Sequence, residues 1–146
     1  MVFFWDKEDV RNDIFHEITE KSTSRIVTLG QEAVGFCWGY PTNSVDLEKK
    51  IGLPGLAKTI NEQFGAVPLG YIDEVGVTPN LRLRGLGKNL WTQAEEILAE
   101  RGCQVIVARS RPDVKIFNWW IRTGFQIIQK YGGDDKRVVI ARAISL

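Results

Sequence analysis

The chain is short of several things, and each shortage excludes a class of protein. Histidine occurs once and cysteine twice in 146 residues, which leaves no recognisable constellation for a metal. An excess of one charge is missing: 19 Lys and Arg face 18 Asp and Glu. A nucleic-acid binder that works by general phosphate attraction needs a basic footprint, so that class is set aside, with only a local basic patch left open. Nor is an acidic field evident that would gather a polycation. No apolar run approaches the length of a membrane span. The apolar start Met1-Val2-Phe3-Phe4-Trp5 is too short for a signal peptide, and charges follow it at once. The Gly-x-Ser-x-Gly elbow of a serine hydrolase is absent, as are internal repeats, low-complexity tracts and linkers. The expectation is a soluble, cytoplasmic protein with one domain over residues 1–146, long enough to bury a core.

What is present reads as α/β. Residues 6–21 carry Val10, Ile14 and Ile18 at four-residue steps among charges, the stripe of a helix. Residues 25–29 and 33–40 flank Gly30-Gln31-Glu32 and predict a β-hairpin, with Pro41 closing its second strand. Residues 42–65 contain Val45, Leu47, Ile51 and Leu56 around Leu53-Pro54-Gly55, which suggests two short helices broken at the proline. Such a segment either shapes a pocket or covers the sheet. A strand over 68–77, a helix over 85–101 stopped by Gly102, and a β-branched strand over 104–109 make a βαβ unit. A helix over 112–123, a strand over 125–131, a turn at Gly132-Gly133-Asp134-Asp135 and a strand over 137–144 follow. Cys37 and Cys103 each lie in an apolar run, and free buried thiols are the expectation.

The richest stretch joins the 68–77 strand to the next helix: Val77-Thr78-Pro79-Asn80-Leu81-Arg82-Leu83-Arg84-Gly85-Leu86-Gly87-Lys88. A helix start leaves backbone N–H groups unpaired, and its dipole favours negative charge. Gly85 and Gly87 let an anion approach that backbone, and Arg82, Arg84 and Lys88 add positive charge beside it. A P-loop does not fit, because Arg82 stands where its first glycine belongs and Asn89 follows Lys88. A dinucleotide fingerprint does not fit either, because position 90 is Leu. A plain tight turn with solvated arginines remains open on these residues alone.

Arg82-x-x-Gly85-x-Gly87, preceded by Val77-x-Pro79, resembles the coenzyme A-binding signature of the GNAT superfamily of N-acetyltransferases. Ile121-Arg122-Thr123-Gly124-Phe125 is similar to the family's helix-to-strand junction ending in Gly-Phe. The order of elements agrees from about residue 6 onward, with the family's first strand and helix abbreviated. The resemblance implies a mixed central sheet in which one parallel strand pair splays apart, flanked by helices. It further implies acetyl-CoA, or another acyl-CoA, as co-substrate and no metal. The pantetheine arm would pair with the backbone of Val75, Gly76 and Val77, where Gly76 suggests a bulge or a close backbone approach. The pyrophosphate would sit on the N–H groups of Leu83, Arg84, Gly85, Leu86, Gly87 and Lys88, and a backbone N–H near 75–77 would polarise the acyl carbonyl.

By the same resemblance an acceptor amine attacks the thioester directly and must lose a proton. Glu74 is the candidate base and Asp73 the second, since alternation along a strand lets only one of them face the site. A strand-edge carboxylate without a role is the competing reading of Glu74. Many members supply the leaving thiolate's proton from a tyrosine four residues before the Gly of Gly-Phe, but Trp120 stands there, and an indole N–H is no general acid. Tyr131, Tyr71 or water would have to serve, while Trp120 packs either against the pantetheine arm or in the core. Trp38 and Tyr40 line an acceptor pocket or the core, and His16 reads as a surface residue. The acceptor would be a small-molecule amine, an amino acid, an aminoglycoside-like molecule or a protein amino group. A non-catalytic acyl-CoA-binding or sensing module of the same fold is the alternative, and binding of another phosphate-bearing nucleotide a third. An open sheet edge or the Phe3-Phe4-Trp5 flank would favour a homodimer.

Overall fold

The computed structural model describes residues 23–79 and 85–144, apart from the side chains of Ser24 and Arg25. The expected helix over 6–21 with His16, the Phe3–Trp5 flank, and Arg82, Leu83 and Arg84 lie outside the described residues. The hairpin forms as β1 (Thr23–Leu29) and β2 (Glu32–Thr42), turning at Gly30-Gln31. Pro41 does not close β2 but lies inside it, paired with Gly70. Among the described residues the β1–β2 ladder ends with Thr23 opposite Gly39, so no described residue pairs with Pro41 on that edge of β2, where a missing N–H costs no pairing.

Residues 42–65 form two short helices as their pattern implies, α1 (Ser44–Ile51) and α2 (Leu56–Phe64). The Asn43 side chain accepts from the backbone N–H of Asp46 and caps α1, while Gly52 at φ +72° ends it. Glu48 Oε1 accepts from the N–H of Ala57 at 3.1 Å, so α1 satisfies an orphan donor in the first turn of α2. Then follow β3 (Leu69–Val77), α3 (Leu86–Glu100), β4 (Val105–Ser110), α4 (Lys115–Arg122), β5 (Gln126–Gly132) and β6 (Asp135–Ala143).

The six strands form one sheet in the order β1-β2-β3-β4-β6-β5, in which only β3 and β4 run parallel. Alternation along β4 supplies both faces of the core. Ile106 and Ala108 pack with Leu90, Trp91, Ala94 and Leu98 of α3 and Phe117 and Trp120 of α4. Val105 and Val107 pack with Leu47 and Ile51 of α1 and Leu56 and Ile60 of α2. The segment 42–65 therefore covers a sheet face, and each apolar side chain it buries contributes roughly 1.5–3 kcal/mol.

One polar clamp ties these parts together at the Gly-Phe junction. Arg142 of β6 forms an ion pair with Glu95 of α3, donates to the Thr123 carbonyl at 2.9 Å, and stacks 4.5 Å above the Phe125 ring. Trp91 Nε1 donates to the other Glu95 oxygen at 2.7 Å. The two charged side chains are 23% and 16% exposed, so losing one strands its partner in a poorly solvated place. Arg142→Met is expected to lower unfolding free energy by roughly 2–4 kcal/mol, measured by urea denaturation. Adding Glu95→Gln to that variant is expected to cost little more, because the two residues act as one unit.

Candidate functional site

The β3–β4 ladder pairs Leu69–Ile72 with Val105–Ala108 and goes no further, although β3 runs on to Val77 and β4 to Ser110. Past Ile72 and Ala108 the two parallel strands form a fork. Residues 73–77 thus present a backbone edge with no ladder partner on β4. Val75 and Val77 turn their side chains into the core beneath α3, leaving that edge as the wall of the fork.

A bulge shapes the entrance. Trp38 pairs with Glu74 and Gly39 with Ile72, so Asp73 is an extra residue opposite β2. The bulge sits at Asp73 and not at Gly76. Gly76 instead meets a close approach from a side chain: a Cβ there would lie 2.6 Å from the Phe36 ring, which stacks on Trp38 at 5.2 Å between centroids. The bulge also overturns the expectation that only one of Asp73 and Glu74 faces the site. An extra residue breaks the two-residue alternation, so Asp73 and Glu74 share the α1 side of the sheet with Tyr71.

On that side the fork is lined by charge. Asp73, whose side chain is 5% exposed, lies 3.5 Å from the Arg109 guanidinium and 3.9 Å from Lys50 Nζ. Arg109 Nε donates to the Tyr71 hydroxyl at 2.8 Å. Burial alone would lower the Arg109 pKa, but the Tyr71, Tyr131 and Asp73 groups around it outweigh that and raise it, so the guanidinium stays charged. Burial, with Asp73 adding to it and Arg109 partly opposing, pushes the Tyr71 phenol well above its ordinary range and keeps it protonated. The Tyr131 hydroxyl is buried near Arg109 with no well-formed hydrogen bond among the described residues, and Arg137 stacks 4.3 Å over its ring. Arg109 was not among the residues singled out in the sequence. Its signal was a charged side chain at the carboxyl end of a buried parallel strand, where open α/β sheets bind ligands. Lys50 had no such signal, since only the packing of α1 brings it to the fork.

At the far end of β3, Thr78 donates its N–H to Val34 and buries a hydroxyl that has no partner among the described residues. Gly85 enters α3 at φ +79°, a conformation that a residue with Cβ adopts only under strain, and it offers no side-chain cap. Gly87 lies within the first turn, where a Cβ would be 3.5 Å from Val77, so the turn folds back on the strand. Leu86 packs into the core below, and the Lys88 ammonium lies 5.7 Å from the Trp119 ring centre. Trp120 is 5% exposed, meets Trp91 in a tilted contact at 5.0 Å between ring centres and has an indole N–H with no partner among the described residues, so it is a core residue in this structure. Trp38 is buried and Tyr40 half-buried, its ring set edge-on to Tyr71 at 5.7 Å. No group of three or more metal-ligating side chains occurs among the described residues, and no described helix is long and apolar enough to cross a membrane.

A mixed sheet whose one parallel strand pair parts partway, with a glycine-entered helix next along the chain, defines an α/β class with an open cleft in the sheet. Residues 2–118 match the model of the acetyltransferase (GNAT) family, and the chain belongs to that family. No curated protein matches the sequence. Among solved structures, the chain is similar to the ribosomal-protein-S18-alanine N-acetyltransferase of Escherichia coli, with 14% identity, a TM-score of 0.65, and 99% of this chain and 80% of that one covered. It is similar to Ard1 from Thermoplasma volcanium at 16% identity and a TM-score of 0.67, covering 98% and 83%. A chain of the NatC complex bound to Gag peptide and CoA shares 12% identity and a TM-score of 0.67, covering 99% and 84%. At these identities the likeness is one of fold.

Cys37, opposite Val75 in the ladder, is a free buried thiol, as is Cys103. Burial, then the nearby Glu74 charge, pushes the Cys37 thiol from 9.0 up to about 12. An unfolded thiol ionises near the lower value and the folded one only near the higher, so the contribution is intact below the first and lost as pH rises toward the second. Unfolding midpoints in urea are expected to fall more steeply across that window for the wild type than for Cys37→Ala.

Proposed function

We propose that the chain is an acyl-CoA-dependent N-acetyltransferase whose single domain spans residues 1–146 and which acylates a primary amine. The observation that carries the reading is the fork: β3 continues past its last pair with β4, and the next described helix along the chain, α3, is entered at a glycine and packs Gly87 close to Val77. The stretch of β3 that β4 no longer pairs suits an extended arm adding to it like a strand. The start of α3 suits a pyrophosphate, with Gly85 and Gly87 admitting it, Arg82, Leu83, Arg84, Leu86 and Lys88 around it, and the Thr78 hydroxyl beside it.

The cofactor supplies an activated acyl thioester; the chain's own groups do the rest. Val75, Gly76 and Val77 bind and orient the arm, and a backbone N–H of that stretch polarises the carbonyl. Asp73 is engaged by Arg109 and Lys50 in a buried ion pair, which holds its carboxylate in place. Glu74, beside it on the same face, is the base that takes the proton of the acceptor amine, directly or through water. Tyr131 is the candidate acid for the leaving thiolate. Tyr71 is the weaker one, since its environment resists ionisation. The relatives act on amines of different kinds, among them agmatine and the alanine of a ribosomal protein, and the fork leaves small-molecule and protein amino groups both open as acceptors. A non-catalytic acyl-CoA sensor is the second reading, favoured by one observation: Trp120 is buried in the core, so no acid acts from that position.

Calorimetric titration of acetyl-CoA is expected to show binding to the wild type and a loss of about a hundredfold or more in Gly85→Glu, which adds a carboxylate at the anion site. A wild type that does not bind would overturn the cofactor reading. Glu74→Gln is expected to lower kcat by roughly a hundredfold or more with acetyl-CoA affinity nearly unchanged, read as thiol release across a panel of amines. Equal turnover of variant and wild type at every pH would remove Glu74 from its role, whereas acetyl-CoA binding with no wild-type turnover across the panel would favour the sensor.

A further inference from the structure

On the acyl-CoA reading above, we infer that the Asp73–Arg109 ion pair is a specificity device: it closes the crotch of the fork and restricts the thioester to a short acyl group such as acetyl. Ile72 and Ala108 form the last backbone pair, and Asp73 and Arg109 are the next residue on each strand. An arm that enters at Gly85 runs back along β3 from Val77 to Asp73, a rise of roughly 13 Å, and meets the crotch end-on. The acyl group must then fit between whatever covers the two faces of the sheet at that point.

One face is already filled. Ile72, Ala108 and Cys37 are 2%, 1% and 1% exposed, and Phe117 and Trp120 pack in the same cluster. Close-packed side chains leave no room for added methylenes without moving the core. The other face is closed by charge. Asp73 and Arg109 reach across the gap at 3.5 Å, Lys50 lies 3.9 Å from the second Asp73 oxygen, and Arg109 is also bonded to Tyr71. A longer aliphatic chain would have to lie against this partly desolvated pair or part it. Lying against it gains little, because the usual gain of burying a methylene requires an apolar lining. Parting it leaves a carboxylate that is 5% exposed with a weakened set of partners. Alternation along the two strands makes this possible, since Asp73 and Arg109 each follow by two residues the Tyr71–Val107 pair on the face that α1 covers.

The test is an affinity ladder of CoA, acetyl-CoA, propionyl-CoA and butyryl-CoA, read by calorimetry and needing no acceptor. Wild-type affinity is expected to fall by about tenfold or more from acetyl-CoA to butyryl-CoA. In Asp73→Ala/Arg109→Ala the two should come within about threefold of each other, with CoA itself bound as before. Arg109→Met, which keeps volume and drops the charge, should narrow the gap in the same direction if the double variant does not fold. Equal wild-type affinity for all three thioesters would overturn the inference, as would a folded variant that keeps the full wild-type gap. A wild type that binds no form of CoA overturns the parent reading instead, and is told apart because the ladder then has no first rung.

Discussion

Backbone groups inside a sheet are costly to leave unpaired, so a strand pair that separates part-way along needs a reason and a means of support. In this chain the separation begins after Ile72 and Ala108, and much of the neighbouring structure is arranged around it. The extra residue at Asp73 lets β3 change direction while keeping its ladder with β2 on the other side. The side chains of Asp73 and Arg109 bridge the first gap that the backbones no longer span. Val75 and Val77 anchor the diverging strand by its apolar side, while Gly85 starts α3 and Gly87 lets its first turn lie close to Val77.

The two faces of the fork differ in kind. The α3–α4 face is aromatic and dry, with Trp91 and Trp120 in contact and Trp91 set edge-on to Phe125. The clamp of Arg142, Glu95 and Thr123 fixes the helix pair against the sheet there. The α1 face carries the polar groups: Glu74, Asp73, Arg109, Lys50, Tyr71 and the Tyr131 hydroxyl. Such a division suits a group-transfer site, in which one side grips an extended cofactor by packing while the other manages charge and protons. It also explains why Trp120 is tolerated where a titrating residue is common: the position belongs to the packed face.

Most elements were readable because local chemistry alone decides them. Pro54 and Gly55 interrupt any helix, and Asn43 and Gly52 bracket the first of the two. Gly102 at φ +88° ends α3 as a glycine stop should. The β-branched run of β4 is buried on both faces, as its lack of alternation implies. The errors share one cause. Pro41 pairs with Gly70 of β3 and has no partner among the described residues of β1, Gly76 serves Phe36 and not a bulge, and Asp73 and Glu74 share a face because of how β2 is registered against β3. Each is a relation between strands, and a relation between strands is absent from the pattern of either one.

The sequence by itself determined the α/β order of elements, the free buried thiols and the glycine turn that enters α3, because propensity, burial pattern and the conformational freedom of glycine act within a few residues. Only the tertiary structure decided where β3 and β4 part, which carboxylate the cations hold and which aromatic side chains are core. Those outcomes depend on register and on side chains far apart in sequence: Lys50, Asp73 and Arg109 meet only because α1, β3 and β4 pack against one another.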